Sequence, residues 1–487
     1  VSALELLGGI TTAAEPLYLN GTGLSSGGAL RNISGNNTFA GPITLQTTGV
    51  RINSDADTLT LNSGTAIRGS GYNLTLGGAG DLAVSSAIGT GAGTVTKNGA
   101  GTLTLSGNNT YQGLTTISAG TVKLGHASGL GTTAAGTSVS AGNVAALDLN
   151  GYAVGAEAVT INGTGVSGGG ALLNSAAGAA SLSGALTLGS ASTITSTGAG
   201  GLTLSGGIDN AGFLLTFDGA NATAVTTVKI TGTGGLTKNG AGTLTLSAAN
   251  DYSGATTVSG GTLKLGNATA RGTTAGITTV NSTYTLDLNG QAIGAEPLTM
   301  SGTGVGGNGA LVNSVATAAS LSGNVTLGAN TTIGAASGDI TLSGAIGGGA
   351  YNITKSGAGT LKLTGTSTYS GTTTVSDGTL AWNGTNTSSA VTVNASKTLI
   401  GSGSAGGLTV SGTVYPGATS NAIGRLAVTG LTMNNASKAV FQIGNCSDTT
   451  DRDYISNSGS ATINATVTIA IDDDAISNWD NTTTKSW

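Results

Sequence analysis

One histidine, one cysteine, four prolines and a charged fraction of 8% set this 487-residue chain apart by what it has little of. With His126 as the single histidine, any catalytic triad would have to be assembled around that one residue. Cys446, the single cysteine, cannot close an internal disulfide, and so thiol-poor a composition fits an exported protein. Few prolines and no Gly-X-Y period exclude collagen and polyproline helices. The 16 basic residues are scattered and the formal net charge is −5, so no Lys/Arg stripe is offered to phosphates and nucleic acid is not expected as a partner. No apolar run approaches the roughly 18 residues needed to cross a bilayer, and no charged-then-apolar leader opens the chain. No membrane-spanning segment is therefore expected here, and an export signal or anchor is expected outside this stretch.

What the chain does have is 87 glycines and an abundance of Ser, Thr, Asn, Ala and Val, which predicts a thin core of small side chains. It also repeats itself. Lys97-Asn-Gly-Ala-Gly-Thr-Leu-Thr-Leu-Ser106 returns almost unchanged from Lys238 and again, slightly altered, from Lys355. Leu147-Asp-Leu-Asn-Gly151 recurs as Leu286-Asp-Leu-Asn-Gly290, and, in the same register, Gly155-Ala-Glu157 recurs as Gly294-Ala-Glu296. Leu4-Glu-Leu6 with Ala14-Glu-Pro16 parallels the same landmarks, so the chain is expected to start inside a repeat and a longer protein to extend in that direction. The step from Lys238 to Lys355 is shorter than the step from Lys97 to Lys238, as though the third copy had lost one rung. A stack of coils tolerates such a loss where a globular domain does not.

Within the copies, Leu103 and Leu105 alternate with Thr102 and Thr104, the period-two signature of a strand with one buried face, and Ile117, Val122 and Leu124 continue the set. Gly-Asn, Asn-Gly, Ser-Gly and Gly-Gly pairs punctuate these short strands. No helical stripe is present. Each unit reads as about six coils of roughly 20 to 25 residues, in which stacked Thr, Ser and Asn could form hydroxyl or amide ladders. Some twenty coils at about 4.8 Å predict a rod roughly 100 Å long. The expected organisation is solenoid repeat units at 1–146 and 147–285, a shortened third unit at 286–384, and a variant C-terminal β module at 385–487 serving as a cap or transition.

The Lys97 to Gly113 segment with Thr115 to Leu124, its counterparts Lys238 to Leu265 and Lys355 to Leu380, and the Tyr415-Pro-Gly417 turn resemble the autotransporter-associated β-strand repeats of bacterial type V passenger regions. The resemblance implies an all-β fold, an elongated right-handed parallel β-helix, exported across the outer membrane and displayed or released. It implies no single activity. The series of amphipathic strands and aromatic girdles of a membrane barrel, which a complete member would carry, is not found in this segment.

The side chains that could carry chemistry each have a plainer reading. His126 reads as an exposed turn residue, with no counterpart at Asn267. Gly163-x-Gly165-x-x-Gly168 and Gly302-x-Gly304-x-x-Gly307 have dinucleotide spacing but no following helix, and read as turns. Asp472-Asp473-Asp474 with Asp480 could offer oxygens to Ca²⁺, although neither known calcium spacing is present, and reads as a solvated turn. Glu15, Glu157 and Glu296 are equivalent positions and read as turn contacts to backbone. Lys97, Lys238 and Lys355 mark a repeated turn. Tyr111, Tyr252 and Tyr369 could bind glycans or a protein, but read as rings packed over a coil edge with the hydroxyl in water. Cys446 reads as a passive small residue, and the Asn-x-Ser/Thr triplets at Asn20, Asn162 and Asn383 as products of composition.

No catalytic, cofactor-binding or metal-ligating residue is therefore assigned, and no cofactor is expected. The chain is expected to be a non-enzymatic extracellular bacterial surface protein, an adhesin, stalk or structural layer. Cell-surface glycans or proteins are the partners this admits, along with further copies joined end to end or side by side. The alternatives are a self-assembling filament or sheath subunit, and a polysaccharide-degrading or proteolytic β-helix passenger, for which His126 or Asp473 would be the residue to replace.

Overall fold

The computed structural model of the chain describes residues 2–417, 423–442, 452–464 and 466–472. These residues fold as short strands joined by turns, with three 3₁₀ turns at Leu24–Ser26, Val166–Gly168 and Val305–Gly307 and no α-helix among them. No helix is long and apolar enough to cross a membrane. Within each unit the strand pairs are parallel, and each coil lies on the one before. The fold is a parallel β-solenoid, as the alternation of Leu and Thr predicts. It packs as two units, Val1–Gly254 and Ala255–Trp487.

In the first unit the inward position of one sheet runs Leu82, Leu103, Val122, Leu147, Leu172, each paired with the next and each at most 1% exposed. Burying one such side chain contributes about 1.5–3 kcal/mol, and a column of them supplies the cohesion a chain poor in aromatics needs. The neighbouring outward position carries Thr104 and Lys123. Coil length varies with the loops between strands. Taking the coil from Leu82 to Leu103 as the reference, the one from Val393 to Val410 in the second unit is shorter and the one from Met433 to Ile463 is longer. That spread is wider than the sequence repeat suggests, because loops shorten or lengthen at the corners without disturbing the register of the strands.

The long sequence repeat is not a whole number of coils. From Thr96 the outward row of one sheet passes Thr116, Ser138, Thr160, Thr187 and Asp209 to Thr231, six coils on. Lys238 lies beyond that point, in the neighbouring sheet, opposite Phe217. Lys97 instead stands between Leu76 and Ile117 in the first sheet. The remainder over six coils turns the second copy of the motif one face from the first.

Many glycines mark close coil-to-coil approach more than reversed φ. Gly101 has no unusual φ, but a Cβ there would lie 1.9 Å from the Gly80 carbonyl oxygen one coil below. In the second unit a separate sheet, Thr385–Asn386, Ser404–Ala405, Arg425–Val428 and Tyr454–Asn457, forms after the third lysine motif. The first of these strands bridges back to Thr366 on the preceding coil, so that face continues across the composition shift near Asn383.

Candidate functional site

The motif residues point inward. Lys97 ends the strand Val95–Lys97, is 1% exposed, and donates from Nζ to the carbonyl oxygens of Asn98 at 3.0 Å, Gly99 at 2.6 Å and Ala119 at 3.0 Å. Lys355 repeats this on Ser356, Gly357 and Asp377, and Lys238 on Asn239 and Gly240. Burial pulls all three amines from 10.5 down to about 8, so they remain charged at neutral pH. Three carbonyls that face one another at a turn would be left without donors, and the ammonium supplies them. The repeated lysine marks a turn, as expected, and also closes it from inside.

Tyr111, Tyr252 and Tyr369 are fully buried. Tyr111 is bonded through its hydroxyl to Thr115 Oγ1 at 2.7 Å and Tyr369 to Thr373 at 2.6 Å, and burial raises the pKa of both phenols. This corrects the expectation of a wet hydroxyl. Because each Tyr stands four residues before its Thr, the pair bridges a corner inside one coil, and the ring is not offered to a ligand.

The three equivalent glutamates diverge. Glu15 is exposed. Glu157 is buried and accepts from Thr137 Oγ1 at 2.8 Å, and burial raises its pKa. Glu296 is buried 3.0 Å from Arg271 Nε, and burial raises its pKa against the pull of that cation. Side chains take the place of the backbone contacts expected for them.

The Leu-Asp-Leu-Asn-Gly landmark is a structural turn. Asp148 Oδ1 accepts from the Asn150 and Ser175 amides at 2.9 and 3.1 Å, and its Oδ2 from Ser175 Oγ at 2.5 Å. Asn150 reaches the Leu124 carbonyl on the coil before, and the Gly151 amide reaches Asn174 on the coil after. Asp287, Asn289 and Gly290 repeat these bonds. A short Asx turn thus ties three coils together.

His126 is half-buried, not exposed, and its Nδ1 accepts from the Ser128 amide at 3.0 Å. Gly163, Gly165 and Gly168 have φ of +75°, +75° and +78° and form a turn. Asn162 donates to the Val139 carbonyl, Asn383 accepts from the Ser402 amide, and Asn20 is exposed. Cys446, Asp473, Asp474 and Asp480 lie outside the described residues. Among the described residues no three His, Cys, Asp or Glu side chains gather as metal ligands. Among the described residues Tyr111 stands close enough to Glu157 for the carboxylate to raise the phenol's pKa further.

The passenger-associated-transport-repeat model matches residues 95–124, 236–265 and 353–381. No curated protein and no solved structure matches the chain. Each matched segment runs from the lysine-closed turn through the buried tyrosine to the next strand, so the family pattern records how coils lock. Three such repeats on a parallel β-solenoid make the chain autotransporter-passenger-like.

Proposed function

We propose that this protein is a non-catalytic passenger-type β-solenoid displayed on the outside of a bacterial cell, where its flank serves as an adhesive or structural surface. The observation that carries this reading is the direction of its polar chemistry. Lys97, Tyr111, Glu157 and Asp148 are each buried and bonded to neighbouring turns or coils. Groups so occupied are held in place and are not poised to react with a substrate. Passenger-associated transport repeats in three segments support export. Low charge and regular coils suit a long surface better than a pocket.

A deletion strain of the producing bacterium tests the reading. Loss of attachment to surfaces or of a visible outer layer is expected, with restoration by the intact gene and equally by a His126→Ala copy. Unchanged attachment and envelope, or hydrolysis of casein or polysaccharide that disappears with His126→Ala, would contradict it.

A further inference from the structure

The outward residues repeat as regularly as the inward ones. Tyr72-Asn-Leu-Thr75, Phe213-Leu-Leu-Thr216 and Tyr351-Asn-Ile-Thr354 each place an aromatic three positions ahead of a threonine. Phe213 is 39% and Tyr351 42% exposed, and Tyr72 is half-buried. On the next coil a glycine stands against each aromatic residue's carbonyl. A Cβ on Gly93, Gly234 or Gly371 would lie 2.0, 1.9 and 2.1 Å from the carbonyl oxygens of Tyr72, Phe213 and Tyr351. No side chain can rise from that position, so the coil after each aromatic presents bare backbone there.

Each of these threonines belongs to a row along the coils. Thr354 pairs with Thr332 on one side and Thr374 on the other, and the row continues to Thr462 with a threonine on every coil. Successive strands place these hydroxyls about 4.8 Å apart. Along this row the positions two before and two after each threonine contain no charged residue. They carry amides and hydroxyls such as Asn352, Ser376 and Asn434, with Asn434 Nδ2 donating to Ser411 Oγ at 2.9 Å. In the first unit a similar uncharged row runs from Thr75 to Thr187, between Arg51 at one end and Asp209 at the other, and Thr216 lies between Thr193 and Thr237 on the neighbouring face with Asp218 two positions after it.

We propose that these stripes bind an uncharged, extended polysaccharide laid along the coil axis, with an exposed aromatic stacked on a sugar ring and the threonine row meeting successive sugar hydroxyls. The inference rests on the reading of the flank as an outward surface and names what that surface takes. A pyranose ring has an apolar face for an aromatic to cover and a rim of hydroxyls. Threonine can donate or accept and so serves either kind of bond. The absence of charge beside the Thr75 and Thr354 rows suits a neutral partner, and one equivalent group per coil suits a polymer with its own regular repeat. A second copy of the chain fits less well: the stripe in the second unit is roughly 30 Å by 13 Å from strand geometry, about 400 Å². That is half of the roughly 800 Å² per partner that a stable interface buries.

The test uses the purified 487-residue chain mixed with suspensions of cellulose, chitin and β-1,3-glucan, and measures the fraction that sediments with each at low and high salt. Retention by at least one of them, unaffected by salt, is expected. The combined Tyr72→Ala, Phe213→Ala and Tyr351→Ala variant should lose retention at least tenfold, and the Thr374→Lys, Thr392→Lys variant should weaken it. Tyr18→Ala, which removes a 61% exposed ring from a different strand, should retain wild-type binding, and melting curves should coincide for all variants. Failure of every neutral polysaccharide to retain the chain, equal retention of the aromatic variant, or retention only by heparin and lost in salt would overturn the inference, as would dimerisation abolished by the threonine variant. Sedimentation with purified protein is independent of where the cell places the chain, so its failure leaves the surface reading standing.

Discussion

The ammonium nitrogen of Lys97 lies 3.0 Å from the carbonyl oxygen of Ala119, 22 residues further along the chain and one coil away. The same nitrogen holds the Asn98 and Gly99 carbonyls of its own turn, so one charge fastens two coils. Gly120 is part of the arrangement, because a Cβ there would stand 2.6 Å from Lys97 Nζ.

Replacing Lys97 with methionine keeps the stem but leaves three half-buried carbonyls without their donor. A loss of about 2–4 kcal/mol is expected from unmade bonds of this kind. Lys123→Met, at a half-buried outward position, should stay within about 0.5 kcal/mol of wild type. Urea unfolding of both variants checks the difference, and equal midpoints would refute the role given to Lys97.

The three lysines also set the alkaline behaviour. Their folded pKa values of about 8 lie below the unfolded value of 10.5, so between those limits the unfolded chain binds protons that the folded chain has released. Stability therefore rises with pH across that window. Tyr111 and Tyr369 act oppositely: burial raises their pKa, the folded chain keeps phenol protons that the unfolded chain loses above pH 10, and stability falls there. Urea midpoints measured from pH 7.5 to 11 should climb to a maximum between about 9 and 10.5 and then drop. A steady fall from pH 7.5 would contradict both assignments.

Arg271 and Leu130 occupy the same place in their repeats, each at the same distance after its motif lysine, Lys238 and Lys97 respectively. Arg271 brings Glu296 a buried cation, whereas Glu157 accepts from the Thr137 hydroxyl. Glu296→Gln should cost about 3–5 kcal/mol, because it leaves a buried guanidinium without its carboxylate. Glu157→Gln, which exchanges one hydrogen-bond acceptor for another, should cost about 1 kcal/mol or less. Thermal melts of the two variants give the comparison.

Glycine substitutions separate close packing from loop freedom. Gly101→Ala would push a methyl group into the Gly80 backbone and should lower stability by about 3 kcal/mol or more. Gly155→Ala has nothing within 4 Å and no reversed φ, and should leave the unfolding midpoint unchanged.

These contrasts show which parts of the structure are legible in the residues. The alternation at Thr102-Leu-Thr-Leu105 fixes a strand and its buried face because adjacent side chains must point to opposite sides. The recurrence of Lys97 and its glycines fixes a turn. The position of Tyr111 is not legible in the same way: it stands outside any strand, where alternation has no hold, and its direction depends on Thr115 closing the corner. The fates of Glu157 and Glu296 depend on partners a full coil away in sequence, Thr137 and Arg271, which stacking brings within reach. One signal was available: Leu130 in one copy and Arg271 in the next is a local break in the repeat, and a break next to a buried acid points to an ion pair.

The outward rows were half visible. Stacked hydroxyl ladders follow from in-register coils, and the Thr354 to Thr462 row is one. Its aromatic neighbours were obscured because Tyr111 and its equivalents are the aromatics that recur inside the motif, while Tyr72, Phe213 and Tyr351 sit in loops outside it.

Labelling of intact cells of the producing bacterium with an antibody against the folded solenoid tests the central claim most directly. The account predicts bright labelling of unpermeabilised cells that external protease removes. Labelling that appears only after the envelope is opened, and survives external protease, would contradict it.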